Sequence, residues 1–151
     1  MSTDTIDCYI LPSAPLPLLL PTDCIADVVA EPQIVPLKSG SADWMKGHTT
    51  WSNQRLSVIS YDGLLGEDQK IPEGKQANLV VLNPIPDAIR KAYSGIVCNG
   101  DIQEVSLDSD IQLVDLPDGV DKRYVEGTIQ ASDQTFIVPK LAALAVAFSY
   151  F

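Results

Sequence analysis

Trp44-Met45-Lys46-Gly47-His48-Thr49-Thr50-Trp51-Ser52-Asn53-Gln54-Arg55-Leu56-Ser57-Val58-Ile59-Ser60-Tyr61 reads as a β-hairpin. Its two β-rich runs flank Ser52-Asn53-Gln54, and asparagine tolerates the positive φ of a tight hairpin turn. The pattern returns 80 positions on, where Trp44 meets Tyr124, Gly47 meets Gly127, Ser52 meets Ser132, Asn53 meets Asp133 and Gln54 meets Gln134. Val58 then meets Val138 and Leu64 meets Leu144. The 22 positions from Trp44 hold five identities. Background usage of about 5–10% per residue type would give about one or two. Upstream, Ile25-Ala26-Asp27-Val28 lies over Ile102-Gln103-Glu104-Val105 with a shift of 77. Self-similarity at a near-constant offset sets the architecture. It predicts two similar β units, each too small to bury much surface alone, sharing a hydrophobic interface.

Working outward from the hairpin, short apolar runs recur between prolines, glycines and asparagines. Cys8-Tyr9-Ile10-Leu11 reads as a first strand, and Leu16 to Leu20, closed by Pro17 and Pro21, as an edge or return strand. Asp23 to Glu31 is open to either a helical turn or a strand, broken by Pro32. Ile34-Val35-Pro36-Leu37 reads as another short strand, and a loop from Ser39 leads to a short helix around Trp44. Ala77 to Leu82 is a buried strand, with Ile89 to Val97 running back beside it. Ile111 to Leu116 alternates as a half-buried strand does. Thr128-Ile129-Gln130-Ala131 and Gln134 to Val138 repeat the hairpin, and Leu141 to Phe151 forms a packed C-terminal helix. The polar stretch 66–76 reads as a mobile linker between approximate halves 1–65 and 77–151, whose lobes interleave within one domain spanning 1–151. Strands at this spacing mean a mostly β protein, barrel or sandwich, and the duplication favours two small barrels.

The net charge of −10 disfavours nucleic acid and an anionic membrane surface, both of which require basic footprints. The start Met1-Ser2-Thr3-Asp4-Thr5 is polar and acidic, unlike a secretory leader, and the longest apolar stretch is about half a bilayer span. Cys8, Cys24 and Cys98 are odd in number and widely spaced, which fits neither a disulfide framework nor a zinc site. A cytoplasmic, reduced protein is expected.

Motifs for catalysis are missing. The lone histidine, His48, reads as a surface or structural residue and cannot build a multi-histidine metal site. Neither Cys24 nor Cys98 sits in a nucleophile motif, and buried, inert cysteine is the default. Gly63 and Gly66 do not precede the lysine-serine pair of a phosphate loop. Asp108, Asp110 and Asp115 lack the spacing and central glycine of a calcium loop. Trp44 and Trp51 bracket the hairpin, either as core anchors or as an exposed partner hot spot. What remains is a binding module without a cofactor, with a small-ligand pocket between the lobes as the alternative.

The series Leu20-Pro21-Thr22-Asp23-Cys24-Ile25-Ala26-Asp27-Val28, then Ile34-Val35-Pro36-Leu37, then Gly47 through Tyr61 resembles the CheW-like domain of bacterial chemosensory systems. Ala77 to Leu82, Ile102 to Val105 and Tyr124 through Leu141 continue it in the family's order, so the likeness covers nearly the whole chain. The resemblance implies two five-stranded SH3-like barrels around a joint core. It implies a non-catalytic adaptor that couples methyl-accepting chemoreceptors to a CheA-type histidine kinase in two-component signalling, reaching the membrane only through the receptor. Asp27 falls on the family's acidic position and Gly47 on the glycine before the hairpin. The partner-binding residues implied are Asp27, Val28, Gly47, Trp51, Ser52, Asn53 and Arg55. The family's Asn-Leu-Arg-Gly turn reads Thr50-Trp51-Ser52-Asn53 here, so Ser52 replaces its arginine, and Pro-Val-Ile-Asp reads Ser57-Val58-Ile59-Ser60. Arginine to serine removes a bidentate donor. With Ser60-Tyr61-Asp62, these departures are similar to divergent CheW-like proteins of type IV pilus, or twitching-motility, clusters.

Overall fold

The computed structural model describes residues 5–13, 16–37, 42, 44–65, 77–86, 92–108, 111–118, 120, 122–131 and 133–149. Its strands are β1 (Ile6–Leu11), β2 (Leu18–Pro21), β3 (Ile25–Ala30), β4 (Met45–Trp51), β5 (Gln54–Ile59), β6 (Ala77–Leu82), β7 (Ser94–Asn99), β8 (Gln103–Leu107), β9 (Gln112–Val114), β10 (Val125–Ala131) and β11 (Gln134–Pro139). Two helices follow the two long hairpins, α1 (Tyr61–Leu64) and α2 (Leu141–Phe148). The protein is mostly β and has two lobes. One sheet has the order β8-β1-β2-β11-β10-β9, and the other β3-β6-β7-β5-β4.

The repeat is visible in the ladders. β4 bulges between Met45 and Gly47 where it pairs with β5, and β10 bulges between Val125 and Gly127 where it pairs with β11. The next register pairs also differ by 80, Gly47 with Val58 and Gly127 with Val138. In each sheet a parallel contact then joins this hairpin to an antiparallel pair, β5 to β7 and β11 to β2. The exchange lies there. The hairpin β1–β2 from the front of the chain completes the sheet of β8, β10 and β11, whereas β6–β7 completes that of β3, β4 and β5. Each sheet therefore contains strands from both copies, and the lobes do not divide at 66–76, a stretch that lies outside the described residues.

Continuous apolar runs explain why these exchanged strands sit inside. Leu18 and Leu20 face a core shared by the lobes, and Leu19 between them faces the interior of the six-stranded lobe with Cys8, Leu107, Ile129 and Phe136. In β6, Val80 and Leu82 face the shared core while Leu79 and Val81 join Leu56 and Val58 inside the five-stranded lobe. A strand buried on both faces has no polar alternation to show. The shared core also receives Ile59, Tyr61, Leu64, Ile96, Ile137, Leu144 and Ala147. Each such leucine or isoleucine contributes about 1.5–3 kcal/mol of burial free energy. Tyr61 adds a polar tie across the lobes, its hydroxyl donating to the Tyr124 carbonyl at 2.5 Å.

Several local expectations are corrected. Asp23 to Glu31 resolves into a 3-10 turn at Thr22–Cys24 and the strand β3, which ends where Glu31 takes a left-handed φ of 48° ahead of Pro32. The strand expected over Ile34 to Leu37 is a single bridge, Val35 to His48, because Pro36 has no N–H to extend a ladder. β2 is an interior strand rather than an edge. The expected helix at Trp44 is one turn, closed by the Met45 N–H on the Ala42 carbonyl at 3.0 Å. The half-buried strand over Ile111 to Leu116 shrinks to β9, an edge on which Leu113 is 85% exposed. α2 packs through Leu144 and Ala147 and turns Val146 outward.

Candidate partner-docking face

The β4–β5 hairpin ends in a two-residue turn, with Ser52 at φ 49° and Asn53 at φ 61°. Two successive left-handed residues match the right-handed twist of the flanking strands, which is why asparagine and a small polar residue stand there. Both are exposed at the tip. Trp51, the last residue of β4, is half-buried and reaches across the open side of the lobe to β3. Its Nε1–H donates to Asp27 Oδ2 at 2.9 Å, and Asp27 Oδ1 accepts from the Val28 N–H at 2.8 Å. One exposed carboxylate thus links the two edge strands of the sheet. The Trp51 ring also packs on Tyr93, centroids 5.0 Å apart at 53°. Val28 is exposed beside them.

Arg55 lies on β5 and meets β4, its Nη2 standing 3.0 Å from His48 Nδ1. Arginine can only donate, so Nδ1 accepts and the neutral ring carries its proton on Nε2. Burial first, and then the Arg55 charge, hold the His48 pKa below its usual value of 6.5. Gly47 plays a different part. At φ 137°, an added Cβ would stand 2.0 Å from the Val35 carbonyl oxygen, so it admits the close passage of the 35–36 segment. The geometry therefore joins Asp27, Val28 and Trp51, sets Ser52 and Asn53 at the adjoining tip, turns Arg55 to His48, and leaves Gly47 beneath Val35.

Sequence reasoning left Tyr93 and the partner of His48 unseen. The His48–Arg55 contact was within reach of the hairpin register, since His48 pairs Ser57 and Thr50 pairs Arg55, which puts histidine and arginine on one face. Nothing local marks Tyr93. A cleft of about 600 Å³ opens between β4 and the chain leaving β3, lined by Val29, Glu31, Pro32, Gln33, Val35, His48, Thr49, Thr50, Trp51, Arg55 and Leu79. It lies on the five-stranded lobe, whereas the space between the lobes is filled by the shared apolar core.

The cysteines are free thiols. Burial raises the thiol pKa of Cys8, Cys24 and Cys98 above the usual value, with nearby aspartates adding to it. Thiols so placed stay protonated and are poor nucleophiles. Among the described residues, no group of three or more His, Cys, Asp or Glu is placed to hold a metal ion, and no helix is long and apolar enough to cross a membrane.

No protein-family model matches the sequence, and no curated protein matches it. Solved structures do. The scaffolding protein TtCheW from Thermoanaerobacter tengcongensis superposes with a TM-score of 0.74 at 15% identity, over 93% of this chain and 87% of that one. At that identity the backbone plan is what is shared: this chain has a CheW-like fold.

Proposed function

We propose that the protein is a non-catalytic signalling adaptor, which couples methyl-accepting chemoreceptors to a CheA-type histidine kinase in a chemotaxis or twitching-motility pathway. The observation that carries this reading is the CheW-like fold over 93% of the chain; the Asp27 carboxylate, which the resemblance puts on the family's acidic position, is exposed. It acts in the cytoplasm, needs no cofactor, and meets the membrane only through a receptor. An adaptor contributes no bond-making step. It holds kinase and receptor together and so raises their effective concentration.

The docking face is formed by Asp27, Val28, Trp51, Ser52, Asn53 and Arg55, with Gly47 shaping the strand beneath. A serine where the family's turn has arginine favours a partner that does not present a carboxylate to that spot. This supports assignment to a pilus-type pathway rather than the general chemotaxis one.

The test is capture of tagged protein from its native cells, read by mass spectrometry. Recovery of a CheA-type kinase or a methyl-accepting receptor supports the reading, and recovery of neither from cells that express both overturns it. Asp27→Arg reverses the charge at an exposed site and removes the acceptor of Trp51 Nε1–H, so recovery should fall about tenfold while the melting temperature drops by only a few degrees. Unfolding of that variant would make Asp27 a structural residue.

A further inference from the structure

The two copies of the repeat differ most in the strand that finishes each lobe. In the six-stranded lobe β9 lies along β10, pairing Val114 with Thr128, Leu113 with Ile129 and Gln112 with Gln130. The five-stranded lobe begins the same ladder at the equivalent point. Val35 bridges His48, which is Thr128 less 80, through Val35 N–H to His48 C=O at 2.7 Å and His48 N–H to Val35 C=O at 2.9 Å. The ladder then stops. Gln33 and Ile34, which stand where Gln112 and Leu113 stand in the other copy, form no pairs with Thr50 and Thr49. Instead the Thr49 hydroxyl donates to the Gln33 carbonyl at 2.7 Å, and Pro32 carries the chain away.

The cleft of about 600 Å³ occupies the place thereby left along β4. Backbone groups alternate along an antiparallel strand. Since His48 directs its N–H and C=O away from β5, Thr50 does the same, toward the cleft. The walls are Val29, Leu79, Trp51 and Val35, the last 68% exposed.

We propose that this cleft seats the end of an extended segment of a partner protein, whose last residue pairs with Thr50 as Gln112 pairs with Gln130, while the aliphatic residue before it lies against Trp51 and Val35 and His48 stays bonded to Val35. The proposal rests on the partner-docking reading of the same lobe and names what docks. Backbone pairing at the edge supplies affinity, and the apolar walls select the side chain. The repeat supplies the template for the open pair: Gln112 on Gln130 shows the pairing expected at Thr50, while Val114 on Thr128 matches the pair that Val35 and His48 already make.

The probe is the capped peptide acetyl-Lys-Leu-Ile-Gln-amide, which ends at the residue opposite Thr50, titrated to millimolar concentration into the nitrogen-labelled full chain. The proposal predicts saturable shifts at the Thr50 amide and the Trp51 Nε1–H, and slower exchange of the Thr50 amide. Proline in place of the peptide glutamine removes the N–H that would pair with Thr50 and should weaken binding about tenfold. Val35→Asp, at an exposed position, should weaken it by a similar factor of about ten without changing the melting temperature. Absence of shifts at Thr50, equal binding of the proline peptide, or shifts confined to another edge would each overturn the proposal. Capture of kinase or receptor from cells reads the adaptor role separately. Capture with no peptide seat ends this inference alone, and a peptide seat with no capture ends the adaptor reading alone.

Discussion

Gly47 and Gly127 hold the same place in two hairpins of the same register, yet their surroundings are opposite. Above Gly47 the chain of Val35 and Pro36 passes so close that no side chain fits, and φ is 137°. Around Gly127 a Cβ would meet nothing within 4 Å. One lobe clamps its bulge with a segment that abandons the ladder after one bridge, and the other leaves the bulge open and extends the ladder to three pairs. The hairpins of the two lobes share a register, while the strand that lies along each of them differs. The difference between the lobes is concentrated at their edges, where partners can reach.

The largest expected contrast lies at those glycines. Gly47→Ala should cost about 3 kcal/mol or more, from backbone overlap and a φ that alanine resists. Gly127→Ala should stay within about 1 kcal/mol, of either sign. Urea midpoints at constant m-value measure both. Equal costs would mean that the 35–36 segment lifts away freely, and the clamp would be no clamp.

Next come the identical leucines that cap the two hairpins. Leu144 is wholly enclosed on the longer helix, and Leu64 is slightly exposed on a single turn. Leu144→Ala should cost about 3 kcal/mol and Leu64→Ala about 2 kcal/mol, because the shorter turn can settle into the space. A reversed order would place the centre of the shared core nearer α1.

Tyr61 stands where the second copy has Leu141, and its hydroxyl reaches the other copy's backbone. Tyr61→Phe should cost only about 0.5–1.5 kcal/mol, since the Tyr124 carbonyl loses the hydroxyl's bond but keeps the Lys140 N–H at 2.8 Å. No change would show that solvent replaces the hydroxyl and that apolar packing alone joins the lobes.

The smallest effect is one of pH. His48 has a titrating ring where the second copy has Thr128. Its folded pKa lies below 6.5, so between the two values the unfolded chain binds more proton. Stability from this site is complete above about pH 6.5 and falls as pH drops through the folded value. His48→Thr should flatten that part of the stability profile. An unaltered profile would assign the slope to other groups.

The hairpin at Gly47 to Tyr61 and its copy were legible because turn chemistry and a glycine recur at one offset, signals that are local. The buried character of Ala77 to Leu82 was legible from its unbroken apolar run. The exchange of β1–β2 and β6–β7 between lobes was not, since a strand buried on both faces fits either sheet equally well. Leu113 misled because alternation marks a face without saying whether anything covers it. The proposed docking residues were reached by family likeness. The Trp51–Asp27 bond that joins them spans 24 positions between unpaired edge strands, and no period in the sequence reports such a contact.

The exchanged hairpins also govern how the chain must fold. β1 finds its partner at Ile6–Leu107, and β2 meets β11 at Leu18–Ile137. Contacts of such separation close long loops before they are rewarded, which places this protein among slow, high-contact-order folders. During synthesis at about 5–20 residues per second, β1 and β2 wait several seconds for β8 and β11 to appear. Throughout that interval Leu18, Leu19 and Leu20 have no sheet to enter, so the nascent chain is a natural client for a chaperone that holds apolar segments.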